Sequence, residues 1–202
     1  MRTKRSLIIA AWAVMVTTLL GCHPTDSFHS DPDNGLSVSK HINGLEITVK
    51  FLSPDHLVKI DEQKTGRRLK PAQRDSVKSL YKNSLVFLMT LAPEKTARGS
   101  QDVLTRGISS QVDFNERLNL LNFHMDKMLT LRIGESDIAP ALASMESTGG
   151  LADHRSIYIV FASNGIKSPS GTDSVALIFR DGLFDTGTSY FPFRCSDLFA
   201  SN

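Results

Sequence analysis

Cysteine is scarce. The 202-residue chain has two, Cys22 and Cys195, which excludes a disulfide-built scaffold. No Cys-x-x-Cys or His-Glu-x-x-His occurs, and the histidines at 23, 29, 41, 56, 124 and 154 do not pair at zinc-ligand spacing. His124 beside Met125 and Met128 comes nearest to a site of soft copper ligands, but methionines so placed more often fill a core. No metal and no cofactor is therefore expected. The Gly-x-Ser-x-Gly elbow, the Gly-x-x-x-x-Gly-Lys-Ser/Thr loop and the Rossmann glycine fingerprint are also missing, so no hydrolase or nucleotide enzyme can be named from motifs.

A long apolar run is lacking too. Ser6 to Leu20 is almost uncharged but only 15 residues long, short of the roughly 20 that span a bilayer. Arg2, Lys4 and Arg5 precede it and Leu19-Leu20-Gly21-Cys22 closes it. A positive start, a short apolar middle and small residues at a cut site describe a secretory signal over 1–21, cleaved between Gly21 and Cys22. Leu-Leu-Gly-Cys resembles the bacterial lipobox, whose cysteine becomes acylated. The resemblance implies anchorage to membrane lipid through Cys22, and each buried methylene of such a chain contributes about 0.8 kcal/mol. With His23 rather than Asp after the cysteine, it implies the outer membrane ahead of the inner.

Excess charge of either sign is absent once the signal is removed: 20 basic residues face 21 acidic ones. A nucleic-acid partner needs a clustered basic surface, and the overall balance gives it no support. If Cys22 carries lipid, Cys195 has no partner within the chain and is expected as a buried, inert thiol.

Residues 22–43 are mostly His, Pro, Asp, Ser, Asn and Gly, which bury too little to offset ordering entropy. They are expected to form a lipidated flexible tether, with a single β-rich domain over 44–202. Leu45 to Phe51 alternates apolar and polar, the period of a half-buried strand that Pro54-Asp55 ends. Pro71 opens a short helix to about Lys82. Ser84 to Leu91 is expected as a buried strand, and Asp113 as the cap of a helix to about Phe123. Met128–Ile133, Ser156–Ala162, Ser174–Phe179 and Ser189–Phe193 follow as strands, separated by turn residues at 163–165, 168–171 and 181–182. Short strands so punctuated predict a mainly β, α+β domain. Its expected architecture is a β-sandwich, immunoglobulin-like in one version, with one or two helices in its first half.

Lipobox, polar stretch, Phe123-His124-Met125, Gly134, Gly149-Gly150-Leu151, Ile159-Val160-Phe161 and Phe179-Arg180-Asp181 follow one another in an order that resembles uncharacterised lipoproteins of Bacteroidota-type bacteria. The resemblance covers roughly residues 80 to 193. It implies a cell-envelope location and a sandwich-like domain, and no activity.

Two local features remain. Gly182-Leu183-Phe184-Asp185-Thr186-Gly187-Thr188-Ser189 resembles the signature of pepsin-like aspartic proteases, whose chemistry needs a second carboxylate within a few ångströms. A second copy is missing, so a homodimer would have to supply it, and only 15 residues follow Gly187. The competing expectation is a turn, with glycine free to take positive φ. The other feature is a charge cluster: between Lys59 and Lys78, seven cations face three carboxylates, a net of +4. Lys64, Arg67, Arg68, Lys70 and Arg74 form its centre. They suit an anionic partner (lipid head groups, an acidic glycan or an envelope protein) or a merely solvated face. The reading these features support is a non-enzymatic envelope lipoprotein for binding or assembly. The alternatives are a small envelope hydrolase using Asp185, or an accessory part of a transport or secretion complex.

Overall fold

Leu45, Ile47, Val49 and Phe51 point to one side of their strand, and none is more than 2% exposed. The structure, a computed structural model, describes residues 27–31, 35–94, 102–146, 152–163 and 174–199. Its first strands are β1 (Ser27–Asp31), β2 (Gly35–Ile42), β3 (Leu45–Leu52) and β4 (Ser84–Pro93). They lie side by side in order, each antiparallel to the next. Two later strands, β7 (Leu142–Met145) and β8 (Arg155–Ala162), complete a six-stranded sheet ordered β1-β2-β3-β4-β8-β7. The second sheet takes β5 (Leu129–Ile133), β6 (Ser136–Ile138), β9 (Ser174–Arg180) and β10 (Thr188–Arg194) in the order β10-β9-β5-β6. The domain is mainly β, as expected, built from two antiparallel sheets. Four consecutive strands share one sheet, whereas an immunoglobulin sandwich divides its early strands between two.

The sheets meet through alternate side chains. Phe51, Phe87 and Ile159 form one inward row of the larger sheet, and Val49, Met89 and Ile157 the next. Leu131, Leu177 and Phe191 project from the smaller sheet into the same core. Phe87 is its hub. Its ring lies 5.5 Å from Phe51, 6.0 Å from Phe161 and 5.3 Å from Phe193 of the opposite sheet, at tilted or edge-on angles that aromatic pairs favour.

The tether expected over 22–43 is corrected. Its second half is β2, paired residue by residue with β3, and Val38 is 1% exposed. The reason is Asn43-Gly44, whose φ angles of 49° and 68° suit the two-residue turn that matches strand twist. β1 then adds to the outer side of β2. The folded domain therefore begins well before residue 44.

Four helices accompany the sheets among the described residues. α1 (Pro54–Thr65) and α2 (Pro71–Tyr81) form a hairpin between β3 and β4, and α3 (Gln111–Phe123) leads through a 3₁₀ turn at Met125–Met128 into β5. α4 (Cys195–Phe199) ends the described chain and buries Cys195 and Leu198. α1 was not expected. Pro54, taken as the end of a strand, is also a first helical residue: Ser53 caps it by accepting from the His56 N–H, and Gly66 closes it at φ 65°. α3 is capped by Ser110 rather than Asp113; the Asp113 N–H donates to the Ser110 hydroxyl at 3.1 Å. Met128 belongs to the 3₁₀ turn, and Met125 is core filling at 1% exposure.

Candidate functional site

α1 and α2 cover part of the outer face of the large sheet. Leu57 packs with Leu52 and Val86 in a small second core, joined by Ile60, Tyr81, Leu88, Tyr158 and Val160. Ion pairs tie the helices together: Lys78 to Asp55 at 2.6 Å, and Arg74 to Glu62 at 3.7 Å. Tyr81 donates to Asp61 at 2.9 Å. Burial, then that hydrogen bond and the carboxylate's charge, push the Tyr81 hydroxyl above its ordinary value.

Where α1 gives way to the connecting loop, the hairpin opens a cleft of about 620 Å³. Arg67, Arg68 and Arg74 line it, as the sequence grouped them, and Lys59 joins them from α1. Lys64 does not. Its ammonium lies 5.4 Å from the centre of the Tyr158 ring, on the side of α1 that borders a separate, more apolar groove. Lys70 does not line it either: it is exposed at the start of α2, where its backbone N–H donates to the Gln73 side chain at 3.1 Å. Among the described residues lining the cleft, the one carboxylate is Glu62. One of its oxygens accepts from the Leu69 N–H at 2.8 Å, so this acid holds the loop in place while it faces Arg74. Three guanidiniums and an ammonium around one opening can grip a phosphate or carboxylate through several charge-assisted hydrogen bonds.

Asp185 sits elsewhere, at the apex of the loop between β9 and β10, where it is solvent-exposed with φ 56°. The carboxylate that organises this loop is Asp181. It accepts from the N–H groups of Leu183, Phe184 and Thr186 and from the Thr186 hydroxyl, at 2.7–3.1 Å. Asp185-Thr186-Gly187 is thus a turn wrapped around its neighbour's side chain. Nothing in this geometry supplies the buried pair of carboxylates that an aspartic protease needs. Ser79-Leu80-Tyr81-Lys82 has the Ser-x-x-Lys spacing of penicillin-binding enzymes. It lies at the exposed end of α2, and the Ser79 hydroxyl donates to the Ser76 carbonyl at 2.6 Å.

Sequence reasoning missed Arg117 of α3. Its guanidinium donates to the carbonyls of Val103, Leu104, Arg106 and Leu183 and lies 4.8 Å from the centre of the Phe184 ring. Burial lowers it from its ordinary value, opposed by the charges of Asp181 and Asp185, and an arginine remains protonated throughout. No local pattern marks such a residue, because its acceptors are backbone atoms from distant loops. Cys22 and Gly21 lie outside the described residues. Among the described residues, no helix is long and apolar enough to cross a membrane.

Comparison with protein families, with characterised proteins and with solved structures finds no match.

Proposed function

We propose that this chain is a cell-envelope lipoprotein, held to membrane lipid by acylated Cys22 and residing at the outer membrane ahead of the inner. In this reading the folded part is a non-enzymatic binding or assembly module that takes an anionic partner in the α1–α2 cleft. One observation carries the binding part: Lys59, Arg67, Arg68 and Arg74 surround an opening lined by a single carboxylate, Glu62, which holds the loop backbone with one oxygen and faces Arg74 with the other. The cationic rim suits recognition of phosphate or carboxylate groups more than of apolar surface. Support for the anchor is the lipobox itself, Leu19-Leu20-Gly21-Cys22, behind a signal of the right length.

Two measurements test the proposal. Mass spectrometry of the amino terminus from a native membrane fraction, beside a Cys22→Ala control, is expected to show diacyl or triacyl Cys22. An unmodified terminus overturns the anchor. Calorimetric titration of the full mature chain with tripolyphosphate is expected to show saturable, salt-sensitive binding that the double substitution Arg67→Glu/Arg68→Glu abolishes. Binding indifferent to that substitution, or none at all, overturns the cleft.

A further inference from the structure

The four-stranded sheet has an outer face that the hairpin does not cover. Strand register places Tyr190, Ile178 and Thr130 in one outward row across β10, β9 and β5. Arg180 follows two residues after Ile178 on the same side, and Arg132 two after Thr130. Pro192 stands beside Tyr190 on β10, opposite Ala176. Ile178 is 0% exposed yet belongs to neither apolar core, so it is roofed on the outer side of its sheet. Tyr190, by contrast, is 48% exposed.

The polar groups of this face are already ordered. Arg132 grips Asp137 of β6 through two parallel hydrogen bonds of 2.7 and 2.8 Å. Arg180 donates to the Thr130 hydroxyl at 2.7 Å and lies 3.8 Å from the same aspartate. The hydrogen bond to Asp137 raises the Arg132 guanidinium and holds the Asp137 carboxyl below its ordinary value. Asp137 and Glu135 are the carboxylates that act on Arg132, and with Arg180 and the outward Arg194 of β10 the three guanidiniums of this face still leave positive charge around an exposed ring.

We propose that this face is a carbohydrate-binding site for an acidic saccharide, a pyranose bearing a carboxylate. Tyr190 and Pro192, exposed two residues apart on one strand face, offer apolar surface to the C–H face of a sugar ring, while the N–H groups of Arg180 and Arg132 that Thr130 and Asp137 leave unused take its carboxylate. A protein partner fits less well. Stable protein interfaces have an apolar centre, and the other widely exposed large hydrophobics, Leu80, Val112, Phe123 and Leu142, belong to other elements. This surface stands apart from the α1–α2 cleft and does not depend on it.

The test is titration of the full mature chain with an oligogalacturonate, beside a neutral gluco-oligosaccharide of equal length. The acidic oligomer is expected to bind and the neutral one at least roughly tenfold more weakly, a difference of about 1.4 kcal/mol. Tyr190→Ala is expected to lower affinity by roughly tenfold or more, whereas Tyr190→Phe keeps the ring and the affinity. Arg180→Ala is expected to remove the preference for the acid. Because Tyr190 neighbours buried Ile178 and Arg180 reaches to Thr130 directly across from it, thermal melting of each variant accompanies the titration, and Tyr190→Phe keeps the ring. Equal affinity for both oligomers, no binding, or binding lost only in Arg67→Glu/Arg68→Glu overturns the proposal.

Discussion

Arg117 donates a hydrogen bond to the carbonyl oxygen of Leu183 at 2.9 Å, across 66 residues of chain. The same guanidinium binds three carbonyls of the 103–106 loop, so one cation fastens α3, that loop and the β9–β10 turn at one end of the sandwich. Asn43 adds a bond from the β2–β3 turn to the Phe184 carbonyl at 3.0 Å.

Arg117→Met keeps much of the stem and removes every one of those donors. Bonds from charged groups to buried acceptors contribute about 1.5–3 kcal/mol each at most, and several here share one half-buried cation, so a loss of roughly 2–4 kcal/mol is expected. Urea unfolding monitored by circular dichroism measures it. A midpoint equal to that of the unsubstituted chain contradicts the pinning role.

Phe87→Ala empties the centre of the core, where the ring meets three other phenylalanines. Its expected cost is about 3–5 kcal/mol. Phe123 is 72% exposed at the end of α3. Phe123→Ala is expected to stay within about 0.5 kcal/mol of the parent. Comparable losses in the two variants would contradict a core centred on Phe87.

Acid separates the Arg132–Asp137 pair. The Asp137 carboxyl titrates below its ordinary value when folded, so the unfolded chain binds the proton first as pH falls. The stability contributed by this group is complete above the ordinary aspartate pKa of about 3.9 and is lost as pH falls through the lower folded value. Asp137→Asn is therefore expected to be less stable than the parent at neutral pH, with the gap closing in acid. A gap that stays constant with pH would be at odds with the pair.

Gly44→Ala tests the first hairpin turn. At φ 68° a side chain is strained, by about 1–2 kcal/mol, and the new methyl carbon would stand 2.7 Å from the Arg106 guanidinium, which can swing aside. That movement gives up the hydrogen bond the guanidinium donates to the Asn43 carbonyl, so the expected loss is at least that of the backbone, about 1–2 kcal/mol, read from the thermal midpoint. Replacement without loss would mean that the turn is not of this type.

Where apolar residues alternated strictly, as over Leu45–Phe51 and Leu129–Ile133, the strands were legible, because a period of two matches only one backbone geometry. Asn43-Gly44 was equally legible as a hairpin signal, yet the polar composition around it suggested a tether. Leu36 and Val38 supply the alternation that composition averages away. α1 was hidden for another reason: Pro54 serves equally to end a strand and to begin a helix. Of the cationic cluster, adjacency grouped five residues but could not say that Lys64 turns to Tyr158 while Lys59 turns inward.

By itself, then, the sequence determined the β-rich class, most strand positions and the presence of a dense cationic stretch, since these depend on local periodicity and residue type. Tertiary structure alone decided which cations share a cleft, that Glu62 bridges the Leu69 amide and Arg74, that Asp181 rather than Asp185 organises its loop, and that Tyr190, Arg132 and Arg180 meet on one face. Each of those relationships joins side chains from separate strands, helices or loops, and only pairing register and helix packing set such distances.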